Sequence, residues 1–203
     1  TLQLSTALSL GTWFKTSVSS DQRMISNSDH CSNNRYFLMI GDASLGDGKT
    51  LKFNIDYDGP STVRNGGEIG VDYSVSDGSW HYAVGTWDGN HMKLYLDGLL
   101  VASTSGITGP INYPTIQYNT YIGNDFCNAE PFDGQLEMPM IWNRALSQSE
   151  IQQYMNCPPT GNEAGLVGYW DFEEGTGSVV NDLSGNGNNG TGNGASWSTD
   201  VPN

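Results

Sequence analysis

Apolar and polar residues alternate with a period of two through much of this chain. In LKFNIDY, Leu51, Phe53, Ile55 and Tyr57 share one face, the pattern of a half-buried strand. Trp80, Tyr82, Val84 and Thr86 alternate in the same way, and Asp88-Gly89-Asn90 then turns the chain. Met92, Leu94 and Leu96 follow, and Asp97-Gly98 supplies the residue pair that a two-residue hairpin wants. These three strands predict a meander. Shorter strands are predicted within Leu2–Thr16, at Met24–Asn27, Tyr36–Ile40, Tyr118–Gly123 and Gly134–Asn143. Pro139 sits inside the last of these and predicts a bulge or an unpaired edge position. Helix is predicted once. Ser147-x-x-Glu150 is a capping box that opens a short helix to about Met155, before Pro158-Pro159 stops it. A last strand (Leu166, Val167, Tyr169, Phe172) runs into a stretch rich in Gly, Asn and Asp. The fold class predicted is all-β, a two-sheet antiparallel sandwich with one short helix.

Composition narrows the function. A chain of 203 residues fits one large β domain and buries a core without disulfide staples. Its formal net charge of −14, with 8 Lys plus Arg, repels nucleic acid and anionic membranes, so a nucleic-acid role is excluded. No apolar run is long enough to span a bilayer. The opening TLQL is strand-like and carries no signal-peptide pattern, as in a segment of a mature exported protein. Cys31, Cys127 and Cys157 form no CxxC and, with three His, no zinc signature. Three separate thiols, or one disulfide with a thiol left over, both fit that count. Cys31 and Cys127 lie in two polar loops of like composition, which favours their pairing with Cys157 free.

WHYAVGTWDG, MKLYLDGLLVAS, YIGN and FDGQLEMPMIWNRALSQSEI, in that order, resemble the laminin-G-like, concanavalin-A-type jelly-roll module of bacterial extracellular proteins. GLVGYWDFEEGTG and NDLSGNGNNG match a further signature that often comes first in the family and here comes last. The likeness runs from about Leu10 to Asn203. Its order implies a single domain, 1–203, with segment 165–203 closing the sandwich. The resemblance also implies two curved sheets, a structural calcium, a secreted or cell-surface location, and a role in binding carbohydrate or another surface ligand. Such modules are appendages of larger proteins.

The candidate metal site is the Asp182–Gly190 loop. Asp182 offers a carboxylate, Asn186 and Asn188 offer carbonyl oxygens, and glycines let the chain turn inward. The family often has Asp where Glu137 stands, which makes Glu137 a fourth candidate. The same loop also fits plain Asx turns without metal. The candidate ligand site is a rim made by loops 27–36 and 124–130, with His30, Asn34, Arg35, Tyr36, Asp125, Phe126 and Asn128, joined by Arg64 of another loop. Aromatic faces for C–H contact and planar polar groups for hydroxyl pairs are what a sugar requires. No E-x-D-x-E pair of a jelly-roll glycosidase and no R-x-E-x-R of an alginate lyase occurs, and no His has a nucleophile motif around it. The expectation is a non-catalytic, monomeric module of a larger chain, binding a neutral or lightly charged polysaccharide. The alternative is an adhesion or protein-interaction module stiffened by calcium.

Overall fold

The computed structural model describes residues 2–30, 33–41, 50–57, 65–111, 113, 119–127 and 129–202. Among them lie thirteen strands and one helix. The strands are β1 (Leu8–Lys15), β2 (Gln22–His30), β3 (Asn33–Ile40), β4 (Leu51–Tyr57), β5 (Asn65–Val71), β6 (Trp80–Trp87) and β7 (His91–Leu96). They continue with β8 (Leu99–Ser105), β9 (Asn119–Ile122), β10 (Gln135–Trp142), β11 (Leu166–Tyr169), β12 (Val179–Val180) and β13 (Gly190–Thr191). Helix α1 is Gln148–Asn156. A six-stranded antiparallel sheet, in the order β11-β10-β1-β6-β7-β8, faces a five-stranded one, β5-β4-β3-β2-β9. This is a two-sheet sandwich of jelly-roll type.

The core lies between the sheets. Leu10 and Phe14 of β1, Leu38 of β3, Phe53 of β4 and Trp87 of β6 are fully buried there. The Trp87 indole N–H donates to the Ile107 carbonyl at 2.9 Å, so its one polar atom is satisfied. A second apolar layer lies on the other side of the six-stranded sheet. Tyr82, Val84, Tyr95, Met140 and Trp142 pack there against Ile151 and Tyr154 of α1. Trp142 and Tyr154 stack with ring centroids 5.0 Å apart. The capping box of α1 is formed: the Ser147 hydroxyl accepts from Glu150 N, and the Glu150 carboxylate accepts from Ser147 N at 2.8 Å.

Several local expectations are met and two are corrected. Asp97 (φ 50°) and Gly98 (φ 75°) make the primed turn between β7 and β8. Pro139 sits by a bulge, with Met138 at φ 49° and a register shift opposite Gly11–Trp13. It is not at an edge, because β10 lies between β1 and β11. Residues 27–30 are not loop but the end of β2, since Asn27 and Ser28 pair with both β3 and β9. Asn65 belongs to a strand, β5, that the alternation did not reveal. At the chain's far end, β11 pairs with β10 and Trp170 joins the main core.

Candidate functional site

The 124–130 segment is a preformed platform at the β9 end of the five-stranded sheet. The Ser26 hydroxyl donates to Asn124 O at 2.8 Å, and Phe126 N donates to the Ser28 hydroxyl at 3.3 Å. The buried Asp125 accepts from Ala129 N at 3.0 Å and closes the loop on itself. Arg23 ion-pairs with Glu130, and its guanidinium lies 3.7 Å from the Phe37 ring centroid. The result is a rim with an exposed aromatic ring, Phe126, 47% accessible and edge-on to Tyr121 at 6.4 Å. An aromatic face beside an ion pair can offer C–H contact and hydroxyl partners to one ligand.

The other predicted rim residues are placed differently. Tyr36 is fully buried, and its hydroxyl donates to Leu2 O at 2.7 Å. It points into the sandwich with Leu38 and Ile40, so it is a core residue and not a ligand contact. Arg35, on the opposite face of β3, is 4% exposed and cannot present a free guanidinium at a surface. His30 and Asn34 lie at the ends of β2 and β3, with side chains outside the described residues, as are Cys31, Arg64 and Asn128. Cys127 is in a disulfide, and Cys157 is a free, exposed thiol. Arg23 and Tyr121 were missed by sequence reasoning. Alternation along β9 is the signal for Tyr121, whose opposite number across β2 is Ser26.

The Asp182 loop is a hydrogen-bonded cap on β11. The Asp182 carboxylate accepts from the backbone N–H of Tyr169 (3.1 Å), Ser184 (2.9 Å) and Asn188 (2.8 Å). Burial opposes its ionisation, but a bond from the Ser184 hydroxyl and these backbone bonds outweigh burial and hold the carboxyl below its ordinary value. The side-chain amides of Asn186 and Asn188 donate to Leu166 O (3.1 Å) and Val167 O (2.8 Å). Side chains thereby stand in for a next strand and blunt the open edge of β11. Glu137 is elsewhere, on β10 opposite Trp13. Burial, then the Glu173 and Asp171 carboxylates, push it up to about 7.

Residues 1–152 match a family model, that of the concanavalin A-like lectin/glucanases superfamily. The chain belongs to that superfamily. Among solved structures, this member is similar to a protein from Bacteroides ovatus described as a "putative carbohydrate binding protein" (TM-score 0.69, 19% identity). The match covers 92% of this chain and 52% of that one, so the chain spans about half of its length. It is also similar to a heptameric SAP-like pentraxin from Limulus polyphemus (TM-score 0.59, 16% identity, 94% and 87% of the two chains). The binding domain of botulinum neurotoxin DC, solved in complex with rat synaptotagmin II, matches at TM-score 0.52 and 17% identity, over 77% and 37%. No curated protein is a sequence match. At these identities the likeness is one of fold.

Of the four residues predicted to hold calcium, three share the Asp182 loop and Glu137 stands apart from them. The Asp182 carboxylate accepts backbone N–H groups, the Asn186 and Asn188 side chains donate through their amide nitrogens, and Glu137 lies near Asp171 and Glu173 instead. Among the described residues no three His, Cys, Asp or Glu side chains are grouped to hold a metal ion. In this loop the Asp182 carboxylate and the two asparagine amide N–H groups bond the backbone of β11.

Proposed function

We propose that this superfamily member is a non-catalytic carbohydrate-binding module of a larger exported protein, with its ligand rim at the 124–130 segment. The observation that carries the reading is the exposed Phe126 ring, held edge-on to Tyr121 on a loop that five hydrogen bonds and ion pairs to β2 and to itself make rigid. A rigid aromatic contact loses little entropy on binding a sugar face. The Bacteroides ovatus protein's description supports the same ligand class. A Cys31–Cys127 disulfide would lock this rim to the β2–β3 hairpin. Arg23 and Glu130, the charged pair described in this rim, are committed to one another, which supports a binding role.

The test is a polysaccharide array with the parent and a Phe126→Ala variant. A neutral or lightly charged glycan whose binding falls at least roughly tenfold in the variant supports the rim. Binding untouched by the substitution removes it from consideration. Failure of every glycan favours a protein ligand, the class seen with the botulinum neurotoxin DC domain.

A further inference from the structure

The outer face of the six-stranded sheet carries a second polar constellation, far in the topology from the rim. Trp80, Lys15 and Gln135 form one cross-strand row on β6, β1 and β10, with Lys15 directly opposite both of the others. Residues 198–200 lie over this row. Lys15 Nζ donates to Asp200 Oδ2 at 2.7 Å, and Trp80 Nε1 donates to Asp200 Oδ1 at 3.1 Å. Gln135 Nε2 donates to the Ser198 hydroxyl at 2.7 Å. The Asp200 backbone N–H also donates to that hydroxyl at 3.1 Å, which fixes the two tail groups relative to one another. A shallow cleft of about 300 Å³ opens beside the row, with Lys15 and Gln135 in its wall together with residues 16–18, Gly78, Asp133 and Gly134.

Three donors from three paired strands thus converge on one carboxylate and one hydroxyl. The strand pairing fixes the backbone positions of these three residues without help from the tail. A carboxylate next to hydroxyls is also what the ring of a uronic acid presents, and the indole of Trp80 adds an apolar face. We propose that Lys15, Trp80 and Gln135 form a subsite for a carboxylate-bearing sugar, and that Asp200 and Ser198 occupy it in cis. The site is distinct from the Phe126 rim in sheet, in residues and in ligand charge.

The tail is a suitable occluder. The Lys15–Asp200 pair is partly exposed (31% and 45%), and exposed pairs of this kind are weak. The hydrogen bonds from Lys15 and then Trp80 hold the Asp200 carboxyl below its ordinary value, so it competes as an anion. A tethered competitor acts at high effective concentration, and the apparent affinity of the subsite is reduced by the fraction of molecules in which it is covered. One positive charge at the mouth also reconciles uronate recognition with a chain of net charge −14. Local pairing acts within the screening length, where the distant negative charges do not.

The experiment is titration calorimetry with an oligomer of galacturonic acid and with its carboxyl-reduced, neutral counterpart. The proteins are the parent, Asp200→Ala/Ser198→Ala, the same double variant with Lys15→Met, and the double variant with Trp80→Phe. The uncovered double variant should bind the acidic oligomer at least about fivefold more tightly than the parent. Adding Lys15→Met should abolish the gain, and Trp80→Phe, which keeps an aromatic face and loses the N–H, should reduce it. The neutral oligomer should show no gain. Equal affinity of parent and double variant, or a gain that persists with Lys15→Met or with the neutral oligomer, overturns the proposal. Parent and double variant carry the same rim, so the gain between them separates failure here from failure of the rim.

Discussion

Gly85 of β6 lies face to face with the ring of Phe53 of β4 across the sandwich: a β-carbon on Gly85 would fall 2.3 Å from Phe53 Cδ2. Both positions are interior to paired strands, so neither backbone can step aside. Gly85→Ala should therefore destabilise the fold by about 1–3 kcal/mol through overpacking. A urea titration checks this. An unchanged midpoint would mean that the two sheets are free to separate locally.

The Asp182 turn yields a prediction about metal. Asp182→Ala strands three backbone N–H donors beside β11 and should cost roughly 2–4 kcal/mol. Because the carboxyl's folded value lies below its ordinary one, the stability it contributes is present near neutrality. It is lost as pH falls below its ordinary value of 3.8. A chelator should leave the parent's melting temperature where it is. A chelator-induced drop that Asp182→Ala abolishes would restore the calcium reading.

These residues mark how far composition carries. A loop rich in Asp, Asn and Gly has the same appearance whether its oxygens face a cation or its amides face a neighbouring strand. The β6–β8 meander was legible because period-two alternation and Asp-Gly turns agree. Strand β5 was not, because Gly66, Gly67 and Gly70 erase its alternation. Its glycine at 67 answers to packing, since a β-carbon there would lie 2.7 Å from Met92 Sδ and 2.9 Å from Ile107. Tyr36 was misplaced because the residues before it, Asn34 and Arg35, are polar. The alternation Tyr36, Leu38, Ile40 already assigned it to the core.

Glu137 should give the fold a pH slope of its own. Burial, then Glu173 and Asp171, raise it from 4.5 to about 7 in the folded chain. Across that window the folded state keeps a proton that the unfolded state has released. Stability from this group therefore falls as pH rises from about 4.5 to about 7 and is level above. Glu137→Gln preserves the shape and removes the titration. Its urea midpoint should show a shallower decline than the parent's over the same range. Identical slopes would assign the effect to another group.

Thiol chemistry tests the cysteine assignment. Cys157 is free and exposed, while Cys127 is bonded. Native protein should react with one equivalent of a thiol reagent, at Cys157. Unreduced peptide mapping should recover Cys127 linked to Cys31. A Cys127–Cys157 peptide would refute the pairing and would loosen the rim proposal with it.

Phe126 and Tyr36 separate binding from folding at the rim. Phe126 is 47% exposed and makes its ring contact with Tyr121 at the surface, so Phe126→Ala should leave the melting temperature nearly unchanged. Tyr36 is fully buried, and its hydroxyl bonds to Leu2 O, with the Thr120 hydroxyl 3.4 Å away. Tyr36→Ala leaves a cavity between the sheets and should cost about 3–5 kcal/mol, as large aromatic truncations in cores do. A glycan ligand bound at the rim should then lose affinity with Phe126→Ala at constant stability. With Tyr36→Ala it should lose affinity only in step with the unfolded fraction, which circular dichroism in the same buffer reports. If Tyr36→Ala stays folded and abolishes binding while Phe126→Ala binds normally, the contact surface lies inside the β2–β3 hairpin and the rim assignment is wrong.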